Sequence, residues 1–134
     1  MQGERTRGFW GANERAWRSE LYDFRVVWHE QRHEFAATLN GMIVGALRLR
    51  IAASLAHVEA LFVLPEHRRR GVGRALLTRA QETSSYYNCH KVTLEVPVRS
   101  AAAAFFEACA YRTEAILPQH TFKLDIAVMR TFLL

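Results

Sequence analysis

Two places in the sequence gather residues whose types and spacing could do chemistry. The first is Arg68-Arg69-Arg70-Gly71-Val72-Gly73, followed by Arg74 and the apolar pair Leu76-Leu77. Glycines at a helix start let the backbone approach a ligand closely. The N–H groups of a first helical turn have no partners of their own and lie at the positive end of the helix dipole. The surrounding arginines add charge-assisted contacts, so the segment reads as an anion site suited to a pyrophosphate. There is no Gly-Lys-Ser/Thr, which excludes a P-loop, and Leu76 stands where a dinucleotide fingerprint wants its third glycine. The same spacing also fits a helix start made tight for packing. The second place is His57-Val58-Glu59, where an imidazole and a carboxylate two residues apart on a strand share one face.

A third motif competes with these. His29-Glu30-Gln31-Arg32-His33 matches the HExxH pattern, in which two histidines one helical turn apart hold zinc and the glutamate activates its water. Ala36 and Leu39 occupy the positions where an extended zinc motif has Gly-x-x-His. A glutamate as third ligand would have to be Glu59, on a segment with a strand pattern. The flanking residues are strand-like as well, so these are read as charged residues at a strand end or loop, with no metal assigned.

Several elements must position these residues. Met1 to Gly11 is polar and reads as loose, Asn13 can cap a short helix to about Leu21, and Phe24 to Trp28 has a strand composition. Asn40-Gly41 between Glu34–Leu39 and Met42–Ile51 is a strong hairpin signal, because both central residues of such a turn need positive φ. Leu47, Leu49 and Ile51 alternate with Arg48 and Arg50, which gives a sheet with one wet face. A strand from about His57 to Val63 leads to the glycine turn and a helix whose buried stripe is Val72, Leu76, Leu77 and Ala80. Lys91 to Val96 is a strand stopped by Pro97, Ser100 caps a helix from Ala101 to Ala110, and Arg112–Ile116 and Thr121–Phe132 close the order. The result is a single α+β domain over residues 1–134.

Composition limits the setting. No stretch approaches the ~20 apolar residues of a membrane span, and no apolar run follows the basic start as a secretion signal requires. Cys89 and Cys109 are too few for a disulfide framework, so reduced thiols in a cytoplasmic protein are expected. The formal charge is +5, and its arginines concentrate beside the glycine turn, which favours a localised phosphate site over a nucleic-acid face.

Arg68-x-x-Gly71-x-Gly73 resembles the Gln/Arg-x-x-Gly-x-Gly/Ala signature of the GNAT superfamily of N-acetyltransferases. The strand ending in Val63-Leu64-Pro65-Glu66-His67 is similar to its counterpart there, as is the later segment with Ala102, Phe105-Phe106, Glu107 and Ala110-Tyr111. The Val44-Gly45 hairpin extends the resemblance to roughly residues 33–132. The resemblance implies a mixed, mostly antiparallel sheet flanked by helices (the acyl-CoA N-acyltransferase fold), with a shortened N-terminal region. It implies acetyl-CoA as co-substrate, with its pyrophosphate on the amides of Arg69, Arg70, Gly71, Val72, Gly73 and Arg74. Its pantetheine arm would lie along Leu61-Phe62-Val63, held by the main chain of Leu61 and Val63 beside a bulge that splays two strands. Ser100 and Phe106 would lie near the far end of that arm.

Transfer to an amine needs a neutral nucleophile, a polarised thioester carbonyl and a proton for the departing thiolate. By its resemblance in position, Glu59 is the first choice as general base and His57 the second; the other reading pairs Glu59 with Arg48 or Arg50. Many members of the superfamily carry a tyrosine acid where this chain has Phe106, which has no proton to give; either another group such as Tyr111 or a water serves, or protonating a good leaving group matters little, or the protein binds CoA with weak or no transferase activity. With about 32 residues before the hairpin, the acceptor side should be shallow or completed by a second copy, as in a homodimer. The acceptor is an amine of unidentified kind.

Overall fold

The computed structural model describes residues 30–133. The expected helix from Asn13 to Leu21, the strand from Phe24 to Trp28, the loose start and His29 lie outside them. The described residues form one six-stranded sheet with two helices. Its strands are β1 (Glu30–Leu39), β2 (Met42–Ala52), β3 (Leu55–Val63), β4 (Lys91–Pro97), β5 (Arg112–Leu117) and β6 (Ile126–Phe132). They lie in the order β1-β2-β3-β4-β6-β5, and only the β3–β4 pair is parallel. Helix α1 (Val72–Tyr86) connects those two parallel strands, and α2 (Ala101–Ala108) follows β4. No helix among the described residues is long and apolar enough to cross a membrane.

The alternation in β2 separates two faces. Leu47, Leu49 and Ile51 enter the core, where they meet Val58 of β3, Leu94 of β4 and Met129 of β6. Leu76, Leu77 and Ala80 of α1 and Ala103 and Phe106 of α2 close the same core. Paired residues share a face, so the register puts Arg50, His57, Thr93 and Arg130 in one polar row across β2, β3, β4 and β6. The core and the polar row are thus two sides of one sheet.

The turns follow local chemistry. Asn40 and Gly41 take φ of 51° and 80°, as the β1–β2 hairpin demands. Ser100 caps α2: its Oγ accepts from the Ala103 N–H at 3.1 Å and donates to Pro97 O at 2.6 Å. Asn88, with a left-handed φ of 62°, follows the end of α1.

Four boundaries differ from expectation by more than one residue. β1 begins at Glu30, so Gln31 to His33 belong to a strand and not to the helix that the HExxH pattern needs. β3 begins at Leu55, after a turn in which Ala53 and Ser54 are both left-handed. α2 ends at Ala108 because Ala110 is left-handed (φ 70°). The run from Thr121 is a 3-10 turn to Lys123 before β6 begins at Ile126, since Phe122 and Lys123 have φ of 54° and 62°.

Candidate active site

The anion loop is assembled from the end of β3. A 3-10 turn at Pro65–His67 follows, Arg69 takes φ 63°, and Gly71 caps α1 with φ 82°, a value that favours glycine. The first intrahelical bond runs from the Ala75 N–H to Gly71 O at 2.9 Å, so the N–H groups of Val72, Gly73 and Arg74 have no helical acceptor. Two small residues set how closely this turn sits on the sheet. A Cβ on Gly73 would lie 3.2 Å from Phe105 Cζ, and one on Gly45 would lie 3.0 Å from Val72 Cγ1 and 3.2 Å from Phe62 O. Of the arginines, Arg74 donates to Ala108 O at 3.4 Å and Arg68 Nε donates to Val63 O at 2.9 Å. Arg69 and Arg70 are exposed and form no ion pair among the described residues.

Beside this loop β3 has an edge that is open among the described residues. It pairs with β4 at only three positions, Leu55↔Lys91, Ala56↔Val92 and His57↔Thr93, and the strands then part. On its other side β3 stays paired with β2 but skips a residue. Arg48 faces Ala60 and Leu49 faces Val58, which leaves Glu59 as the extra residue of a bulge. The Leu64 N–H donates to Val44 O at 2.9 Å, so alternation turns the main-chain groups of Leu61 and Val63 toward the open edge. The Phe62 side chain is exposed, with the Arg68 guanidinium 5.5 Å from its ring centroid.

Where the strands part there is a cleft of about 320 Å³. His57, Glu59 and Glu95 give it a polar wall, and Pro97, Phe122, Leu124 and Ile126 an apolar one. His57 is half-buried and its Nδ1 lies 2.8 Å from Thr93 Oγ1. Burial, then the Arg50 charge, lower its pKa below 6.5, against weaker opposing effects of Glu95 and Glu59. An imidazole so placed is neutral near pH 7 and can accept a proton. Both Glu59 oxygens lie near Arg32 Nη1, at 3.1 and 3.3 Å. The expected partners are engaged elsewhere: Arg48 bonds Glu34 at 3.1 Å and Arg50 lies 3.8 Å from Glu30. Sequence spacing points to the adjacent strand, whereas two long side chains reach across β2.

Other expected site residues do not line the cleft. Phe106 is 5% exposed and stacks edge-on with Phe105 and Tyr111 in the core. The Ser100 hydroxyl is occupied by its cap. Tyr111 is 0% exposed, its hydroxyl accepts from Gln81 Nε2 at 2.9 Å, and burial pushes its pKa up to about 12. It is a core residue and not an acid facing the cleft. His33 Nε2 bonds Gln31 Oε1 at 3.0 Å and its ring packs near Phe35 and Tyr87. Sequence reasoning missed Thr93, Phe122, Gly45 and Arg32. The alternation of Thr93 and Glu95 with apolar neighbours was a usable signal for the polar face of β4; nothing local announced the others.

Solved structures with the same fold include an acetyltransferase from Bacillus cereus, at 18% identity with a TM-score of 0.75, covering 96% of this chain and 93% of that one. The ribosomal-protein-S18-alanine N-acetyltransferase of Escherichia coli is similar at 22% identity and TM-score 0.68, with coverages of 89% and 76%. Ard1 from Thermoplasma volcanium is similar at 24% identity and TM-score 0.69, with coverages of 74% and 69%. No curated protein matches the chain. Residues 5–111 match the Acetyltransferase (GNAT) family. With most of the sequence matched and the sheet opening beside the glycine turn, the chain belongs to that family.

Proposed function

We propose that the chain is a single-domain N-acetyltransferase that moves the acetyl group of acetyl-CoA to a primary amine by direct attack. One observation carries this reading. The open edge of β3 has a helix start with unpaired first-turn amides at one end and the His57–Glu59 cleft at the other. A pyrophosphate fits the amides of Arg69 to Arg74, with Arg69 and Arg70 as mobile counter-charges. An extended amide-bearing arm fits the main chain of Leu61 and Val63, exchanging the Arg68 bond to Val63 O for its own. An N–H of that edge can donate to the thioester oxygen, where charge builds up as the amine attacks.

The ammonium form of the acceptor first gives one proton to bulk water; its neutral nitrogen then forms a C–N bond, the C–S bond breaks, and the nitrogen loses a second proton. His57 Nε2 takes that proton in this reading, because the imidazole is neutral near pH 7 and lines the cleft. Glu59, bound to Arg32, holds the wall and favours a cationic acceptor. The CoA thiolate is a good leaving group that water can protonate, so Phe106 needs no proton to give. Carboxylates facing Phe122 and Leu124 suit an amine that carries an apolar group, on a small molecule or a peptide end.

Thermal unfolding with acetyl-CoA, CoA, NAD or ATP tests the first half. Ligand at 100 times its dissociation constant adds about 2.7 kcal/mol of stability, and the expected order puts acetyl-CoA and CoA well above the others. CoA release with a panel of amines tests the second half, comparing His57→Gln and Glu59→Gln. A shift with NAD or ATP alone would remove the cofactor reading. Turnover untouched in His57→Gln would remove His57 as base.

A further inference from the structure

His57 and Thr93 form the last rung on which β3 and β4 still pair, directly below the cleft. Thr93 is 8% exposed on the polar face of the sheet, and a buried hydroxyl there needs partners. It has two: His57 Nδ1 at 2.8 Å and Ala56 O at 3.4 Å. A hydroxyl carries one proton. If that proton goes to Ala56 O, the threonine oxygen accepts from Nδ1–H, and the imidazole lone pair is on Nε2. The opposite arrangement puts the lone pair on Nδ1 against Thr93, and the hydroxyl would have to turn each time the ring took up a proton. In the first arrangement the ring is charged and discharged at Nε2 with nothing moving behind it.

We propose that Thr93 is a positioning residue that fixes the tautomer of His57, so that Nε2 is the proton-accepting nitrogen in the cleft. The inference rests on the reading of His57 as base and adds to it the group that makes the ring a base on the correct side. The charges facing this ring are Arg50 on β2, Glu59 on β3 with Arg32 of β1 behind it, Glu95 on β4, and Arg130 opposite Thr93 on β6. None of them bonds Nδ1, whose partner among the described residues is Thr93 Oγ1.

The test is nitrogen NMR of the labelled His57 ring in the intact chain, with acetyl transfer measured beside it. The parent and Thr93→Ser should show protonated Nδ1 and bare Nε2, while the near-isosteric Thr93→Val should move toward the Nε2–H form. In Thr93→Val, kcat should fall about tenfold to a hundredfold, short of the roughly 10²–10⁴-fold that a whole general base supplies, with KM for acetyl-CoA unchanged. Thr93→Ser should restore the rate. An Nε2–H tautomer in the parent, or an unmoved tautomer in Thr93→Val, overturns the proposal. A normal rate in His57→Gln while the Nδ1–H tautomer stands in the parent strikes instead at the base reading, so the two failures can be told apart.

Discussion

Gly45 is the position where adding one carbon should do most harm for least chemistry. It lies on β2 under the first turn of α1, and its φ does not demand glycine. A Cβ there would lie 3.0 Å from Val72 Cγ1, 3.2 Å from Leu76 Cδ1 and 3.2 Å from Phe62 O. Val72 is β-branched and stiff, and Phe62 O belongs to the paired backbone of β3, so neither yields cheaply. Overpacking of this kind costs about 1–3 kcal/mol, of which about 0.4–1 kcal/mol is offset because alanine restricts the unfolded chain. The net loss in Gly45→Ala should be about 1–2 kcal/mol, or roughly 4–8 °C in Tm for a domain of this size. Because α1 must lift from β2, the amides of Val72 to Arg74 shift against the open edge of β3. Affinity for CoA should fall about tenfold, equivalent to about 1.4 kcal/mol. Gly41→Ala is the contrast: φ is 80° with nothing within 4 Å of the added carbon, so it should lose stability by backbone strain and keep CoA affinity. Calorimetric titration with CoA and thermal unfolding of both variants decide the matter. A Gly45→Ala protein with parental Tm and parental affinity would refute the steric argument.

Three further outcomes follow from groups described above. The lowered pKa of His57 means that the folded state resists its protonation; this contribution is fully present above pH 6.5 and is lost as pH falls through the folded value. Denaturant titrations below pH 6.5 should therefore show a shallower loss of stability in His57→Gln than in the parent. Tyr111 has the opposite sign: with a folded pKa of about 12 against an ordinary 10, its contribution is complete below pH 10 and is lost as pH rises through 12. That interval is worth roughly 3 kcal/mol, and phenolate absorbance should show one tyrosine ionising late, missing in Tyr111→Phe. Ser100→Ala removes the α2 cap and should cost about 1 kcal/mol in chemical denaturation, with little change in KM for acetyl-CoA.

Local chemistry made part of this fold readable. Asn40-Gly41, Gly71 and Ser100 are each the residue type that their backbone geometry wants, and the β2 alternation separated core from wet face. Ala53-Ser54 and Phe122-Lys123 are left-handed without the residues that advertise it, so strand starts there were misplaced. At the site, the two-residue spacing of His57 and Glu59 carries their common face. The bulge that makes Glu59 the extra residue depends on pairing with β2, and Arg32 reaches it from two strands away. Thr93 and Gly45 matter for what lies across from them, which no local window contains.

The parting of β3 from β4 has a cost for the solitary molecule. An unpaired strand edge with inward apolar neighbours invites a strand from another chain, the usual route to aggregation. Here the bulge at Glu59 breaks the regular ladder, and the Arg68 guanidinium sits on the Val63 carbonyl that an intruding strand would need. The Arg68 guanidinium thus guards that stretch of edge. A charge-neutral replacement at Arg68 should make the protein more prone to self-association than the parent, as light scattering would show.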